Sequence, residues 1–242
     1  MNNIKAAPAR QGGFGAALLG GIIGSAVTAA LLIFATPSLI SSKIVRNGLL
    51  ADPHVLNDAV EAMREAQTAP IVEANRAAIE TPFANSWKGT ANPEVTLVEF
   101  FDYACPYCKV SNPAVDRLIQ EDKGLRVVYR ELPILGPDSV TAARLSLQAS
   151  KAGRFAQFHD TLWAAGKPAP NTIAAAAQAA SIAPTPTQDA AIENELGQNQ
   201  KLAGELGATG TPVFVVGNKV LNGAVGYDAL KEAIAAARAK KS

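Results

Sequence analysis

The chain of 242 residues contains two cysteines, Cys105 and Cys108, separated by Pro106 and Tyr107. A pair at this spacing admits several chemistries. A structural disulfide here would close so short a loop that it would constrain the unfolded chain little. A zinc site would need about four ligands. Beyond the two sulfurs the sequence offers His54 and His159, and neither has the spacing of a paired ligand. A redox dithiol needs a strand before it and a helix after it, and both are legible. Two thiolates also suit a soft ion such as Cu(I). Copper carriage is weakened by the absence of a methionine-rich tract, since Met1 and Met63 are the only methionines. Exchange of thiols and disulfides is the chemistry the pair fits best.

The flanking elements must present these sulfurs. An apolar run over 95–101 leads into them and reads as a central strand buried on both faces. Glu99 interrupts that run. A lone carboxylate there is paired, carries a raised pKa, or marks a solvated edge. After the pair, 109–120 reads as a helix with Val110, Ala114, Leu118 and Ile119 on one face. Pro106 suits the first helical position. Cys105 then falls at the helix N-terminus, against free backbone N–H groups and the positive end of the dipole. A thiolate at such a place is stabilised and attacks disulfides near neutral pH. Cys108, one turn on, is the resolving thiol. Residues 85–93 read as a polar connector, and 125–132 as a strand joined to the first by the cysteine helix. Helices follow over 139–152, closed by Gly153, and over 154–165. The second carries a core stripe of Phe155, Phe158, Leu162 and Trp163, with His159 as a structural or surface residue. Further helices are expected over 171–181 and 188–206. Gly210-Thr211-Pro212 then precedes a strand over 213–216; a proline there sits in a turn, cis or trans. Gly217-Asn218 turns a hairpin into 219–222, and a helix over 227–241 closes the chain.

The segment Phe100-Phe101-Asp102-Tyr103-Ala104-Cys105-Pro106-Tyr107-Cys108-Lys109 resembles the active-site segment of DsbA-like thiol–disulfide oxidoreductases of the bacterial envelope. Arg130-Glu131-Leu132-Pro133-Ile134-Leu135-Gly136 and Gly210-Thr211-Pro212-Val213-Phe214-Val215-Val216-Gly217 match the same family in order. The resemblance implies an α/β, thioredoxin-like fold over 87–242 with a helical insertion at about 137–207. It implies that Pro212 is cis and faces the cysteines. It makes Pro106, Tyr107, Thr211 and Pro212 the substrate contacts and Glu99 the carboxylate that moves the thiols' protons. No metal or organic cofactor is implied, because the electrons stay on sulfur. Threonine before the cis-proline is similar to isomerases and reductases rather than to the prototype oxidase. Isomerase or reductase is therefore favoured, with a dithiol oxidase as the alternative. Pro-Tyr between the cysteines is also glutaredoxin-like, but those proteins lack the helical insertion.

Upstream, 1–38 reads as a signal-anchor or transmembrane segment. Lys5 and Arg10 precede about 20 uncharged residues over 16–35, the length of a membrane span, and no clean cleavage site follows. A long cleaved signal is the alternative. Residues 39–86 read as a helical neck. Asp52-Pro53 starts a first helix over 54–67, Thr68-Ala69-Pro70 breaks it, and a second runs over 71–80. His54 reads as a solvated residue near that start. The apolar stripe of Leu56, Val60 and Met63 must be covered, by the catalytic domain or by a second copy. The Asp52-Pro53-His54-Val55-Leu56 stretch resembles the N-terminal helical region of ScsC-type proteins, which implies an oligomerisation region and a copper-tolerance connection. A formal charge of +1 without basic patches excludes nucleic acid as a partner. The expected partners are cysteine-containing exported proteins and a membrane redox protein that resets the dithiol. A cysteine pair of this kind belongs on the oxidising side of the membrane, so the catalytic domain is expected in the periplasm, either anchored or released.

Overall fold

The computed structural model describes residues 44–240. The expected membrane segment lies outside them, and among the described residues no helix is long and apolar enough to cross a membrane. The chain divides into two compact units, residues 1–61 and 62–242.

A five-stranded mixed sheet organises the second unit, in the order β1-β3-β2-β4-β5. Strand β2 (Val95–Phe101) is central and buried along its whole length. It pairs in parallel with β3 (Leu125–Glu131) and antiparallel with β4 (Val213–Val216). Strand β5 (Lys219–Asn222) completes the hairpin. Gly217, at φ 57°, opens its two-residue turn, where a primed turn wants glycine. A Cβ there would also stand 3.1 Å from the Cβ of Ala237. Strand β1 (Trp87–Gly89) lies antiparallel on the edge of β3 and replaces the connector expected over 85–93. Three residues are too few to show an alternating pattern, so periodicity could not reveal it.

Side chains alternate between the two faces of β2, so one strand feeds two cores. On one face Val95, Leu97 and Phe101 pack with Val115 and Leu118 of α2 (Pro106–Glu121), with Phe155, Phe158 and Leu162 of α4 (Phe155–Ala165), and with Leu230 and Ile234 of α7 (Gly226–Ala239). On the other face Val98 and Phe100 meet Val72 and Ile79 of α1 (His54–Glu80) and Leu202 of α6 (Ala190–Glu205). Helices α3 (Pro137–Lys151), α4, α5 (Pro170–Ala179) and α6 form the insertion between β3 and β4.

Two helices also differ from the sequence reading. Thr68-Ala69-Pro70 does not break the neck: α1 is one helix of 27 residues with Pro70 inside it. A proline in a helix interior costs about 3 kcal/mol. Burial of Thr68, Val72 and Ile79 on one side of α1 offsets that cost. Apolar side chains of this size contribute roughly 1.5–3 kcal/mol each when fully buried. The start of the helix is as expected, with Asp52 accepting the His54 N–H at 3.1 Å. The second correction concerns the cysteine helix. Its buried face is Cys108, Ser111, Val115 and Leu118, a clean i, i+3, i+7, i+10 stripe. Val110 points out at 70% exposure.

Candidate active site

Cys105 is the N-cap residue of α2, in extended backbone (φ −78°, ψ 118°), with Pro106 at the first helical position. The turn leading to it is closed by the Cys105 N–H donating to the Asp102 carbonyl at 2.9 Å. The Cys105 thiol donates to the carbonyl oxygen of Thr211 at 3.2 Å. The Thr211–Pro212 peptide is cis. Strand pairing explains the meeting: Phe100 of β2 stands opposite Val213 of β4, so the residues just beyond each strand end converge. Both cysteines are free thiols. Cys105 retains 5% exposure and Cys108 none. Access to Cys105 is therefore narrow.

Cys108 faces the sheet. Burial pushes its thiol well above the usual range, and the nearby charge of Glu99 adds to the rise, while the Asp102 backbone and the Thr211 side chain oppose it. Glu99 sits in the middle of β2 at 1% exposure, and neither carboxylate oxygen has a hydrogen-bond partner. Burial raises its pKa to about 8, Asp116 adds to the rise, and Lys88 lowers it. A solvated edge is therefore excluded for Glu99. The carboxyl group lies beneath the cysteine helix, holding its proton to the neutral range.

The rim of the site is apolar and open. Pro106 and Tyr107 are exposed, Tyr107 at 64%. Val110, Ile134 and Leu135 are exposed as well. Thr211 is half-buried and Pro212 is buried against the sheet. The structure thus brings together Cys105, Cys108, Glu99, Thr211 and Pro212, with Pro106 and Tyr107 on the outer surface.

Several residues around the site escaped sequence reasoning. Asp102 is buried and accepts three backbone N–H groups, from Ala104 at 2.8 Å, Ile134 at 2.8 Å and Leu135 at 2.9 Å. It ties the cysteine turn to the loop after β3. Asn112, with its amide turned to satisfy both neighbours, donates to the Cys108 carbonyl at 3.3 Å and accepts from Trp163 Nε1 at 3.1 Å. Lys88 of β1 bridges Asp116 at 2.8 Å and Asp160 at 3.0 Å. Lys109 lines the same cleft between α2 and α4 as these three. His159 is a structural residue. It is buried, its Nδ1 lies 3.1 Å from the Tyr103 hydroxyl, and burial with the Lys88 charge drives its pKa well down. Among the described residues no cluster of His, Cys, Asp and Glu has the makings of a metal site.

Residues 96–235 match the model of the DSBA-like thioredoxin domain. The chain is similar to a thioredoxin-like oxidoreductase from Silicibacter pomeroyi DSS-3, at 34% identity and TM-score 0.63, over 69% of this chain and 99% of that one. A periplasmic thioredoxin-like protein from Salmonella enterica serovar Typhimurium is 31% identical, with TM-score 0.63, over 68% of this chain and 95% of that one. Proteus mirabilis ScsC in a transitional conformation is 26% identical, with TM-score 0.66, over 85% of this chain and 99% of that one. This last alignment takes in more than residues 87–242 can supply, so it reaches into the neck. The Na(+)/H(+) antiporters NhaA 3 of Salinispora tropica and NhaA 1 of Salinispora arenicola are each 37% identical over 79 residues, 32% of this chain, and the match spans 12% of their length. With the domain match covering more than half of its residues, the chain belongs to the DSBA-like thioredoxin domain family.

Proposed function

We propose that this thiol–disulfide oxidoreductase acts on cysteine-containing exported proteins through the dithiol Cys105-Pro106-Tyr107-Cys108. The observation that carries the reading is Cys105 at the N-cap of α2, its thiol 3.2 Å from the Thr211 carbonyl beside the cis Pro212. Cys105, at the N-cap of α2, attacks as its thiolate. That thiolate attacks a substrate disulfide; one substrate sulfur leaves as a thiolate and the other stays in a mixed disulfide with Cys105. Cys108 then gives its proton to ionised Glu99 and attacks the Cys105 sulfur. The Cys105–Cys108 disulfide forms and the second substrate thiolate leaves, so the substrate is reduced and the enzyme oxidised. The reverse sequence oxidises a substrate dithiol. When a substrate thiol resolves the mixed disulfide instead, the outcome is isomerisation. Tyr107, Val110, Ile134 and Leu135 offer the apolar contact for an extended substrate, and the Thr211 backbone holds it in line.

Isomerase or reductase activity is favoured over oxidation, on the strength of Thr211 ahead of Pro212 and of the likeness to ScsC that includes the neck. The same likeness, with Leu56, Val60 and Met63 exposed on α1, supports self-association through the N-terminal half of α1. A periplasmic location, with a membrane redox partner that resets the dithiol, accords with the Salmonella relative described as periplasmic.

Two variants test the chemistry. Cys105→Ser abolishes exchange with a disulfide-bonded peptide, whereas Cys108→Ser accumulates covalent enzyme–peptide adducts. Fastest alkylation at Cys108 rather than Cys105 in the reduced protein at neutral pH would reverse the assigned roles. Equilibration with glutathione, set beside refolding of a scrambled substrate, decides the direction.

A further inference from the structure

Two consecutive aliphatic side chains, Ile134 and Leu135, stand in solvent at 48% and 51% exposure. They lie in the short loop between β3 and α3. Strands β2 and β3 end level, with Phe101 opposite Glu131, so this loop runs beside the turn that carries Cys105. On the far side of β2 lies β4, preceded by Thr211 and Pro212. Cys105 is therefore flanked by the cis-proline on one side and by the aliphatic pair on the other.

A buried carboxylate holds the pair in place. Asp102, at 1% exposure, accepts the Ile134 N–H at 2.8 Å and the Leu135 N–H at 2.9 Å on Oδ2, and the Ala104 N–H at 2.8 Å on Oδ1. Its carbonyl closes the cysteine turn by accepting the Cys105 N–H at 2.9 Å. One residue thus fixes the cysteine and the loop in a single frame. For folding alone the arrangement is poor, because it buries a charge and leaves two apolar side chains in water. Features that cost stability in this way gather at functional sites.

We propose that Asp102 is a positioning residue which fixes Ile134 and Leu135 as an apolar subsite for the residues flanking the substrate cysteine, so that the enzyme prefers cysteines with apolar neighbours. The inference rests on the reading of Cys105 as the attacking thiol. Exchange passes through a mixed disulfide, so a substrate must bring one sulfur to Cys105. The residues on either side of that sulfur are carried with it onto the rim. Their backbone meets Thr211, and an apolar side chain covers Ile134 and Leu135. Such contact strengthens binding without touching the sulfur chemistry, so it acts on half-saturation rather than on the limiting rate.

The test is single-turnover reduction of two disulfide-linked peptide dimers by the reduced full chain. The peptides differ only in carrying leucine or serine on both sides of the cysteine. In the unaltered protein the leucine peptide half-saturates at a roughly ten-fold lower concentration, the effect of partly burying one aliphatic side chain. Asp102→Ser brings that ratio close to unity: a serine hydroxyl still reaches the N–H two residues on, but offers no second oxygen to the loop. A general fold defect would slow both peptides alike and leave the ratio. Ile134→Ser with Leu135→Ser also abolishes the preference, and adding Asp102→Ser then changes it no further, because the three act through one contact. Ile134 and Leu135 are exposed, so the double variant folds even where the aspartate variant does not. Amide hydrogen exchange reads the clamp directly: the Ile134 and Leu135 N–H groups are protected in the unaltered chain and lose protection in Asp102→Ser. If the unaltered chain reduces neither peptide, the reading of Cys105 falls, and the subsite with it. Equal half-saturation by the two peptides, a preference that survives either set of substitutions, or unprotected Ile134 and Leu135 amides in the unaltered chain would leave thiol exchange standing and overturn the role of Asp102.

Discussion

At the scale of single residues, the burial of Glu99 ties stability to pH. Its pKa is about 8 in the folded protein against an ordinary value of 4.5. Between those values the unfolded chain has lost the proton and the folded chain keeps it. Stability is therefore fully present below pH 4.5, falls as pH rises towards 8, and levels off above. Glu131, buried at the end of β3, has its pKa raised by burial and acts in the same sense. Glu99→Gln removes the Glu99 share, so the variant gains on the unaltered protein by on the order of 4 kcal/mol between pH 5 and pH 8.5. Urea unfolding of both proteins at the two pH values checks this, and parallel slopes would mean that Glu99 is ionised when folded. The residues that carry the chemistry were legible as types in order: a CxxC, a carboxylate inside an apolar strand, a Thr-Pro before the last hairpin. Asp102 was not. Its main-chain partners Ile134 and Leu135 are 32 and 33 residues away, and no local pattern announces them.

At the scale of elements, the helices and the long strands followed from periodicity, apart from the buried face of the cysteine helix, and the other two misreadings share one cause. Proline at 70 and the short run at 87–89 were judged by local preference, whereas tertiary packing decides both. Arg130 shows how. Its guanidinium is buried, bonds Glu195 at 2.6 Å and Asn199 at 3.3 Å on α6, and donates to the carbonyls of Ala78, Ile79 and Thr81 where α1 ends. A cation there satisfies the free carbonyls and complements the negative end of the helix. One side chain thus locks α1 and the helical insertion onto β3. Arg130→Met leaves those carbonyls and the Glu195 carboxylate without their cation, at a cost of about 3–5 kcal/mol. The denaturant midpoint falls accordingly, and Arg130→Met with Glu195→Met recovers part of the loss. A single variant as stable as the unaltered chain would show that α1 is held by Val72 and Ile79 alone.

At the scale of the whole molecule, the boundary between neck and body falls inside α1. The neck was expected over 39–86, yet the second unit begins at Ala62, and Val72 and Ile79 fill the core beneath the sheet. A chain starting at Asn85 would lose both side chains and the partners of Arg130, so it unfolds at markedly lower urea than one starting at Lys43. Self-association is best tested without truncation. A chain from Lys43 sediments as an oligomer at micromolar concentration, and Leu56→Lys, Val60→Lys and Met63→Lys together return it to a monomer with its dithiol chemistry intact. A monomer from the outset would leave the apolar stripe without a partner copy. The isomerase reading would then rest on Thr211. The thiols carry a last consequence for how the molecule is made and kept. Both cysteines sit in the reacting pair, so no cross-link elsewhere braces the fold, and the loop between them is too short to brace it. Packing and hydrogen bonds, not a cross-link, therefore hold the architecture together.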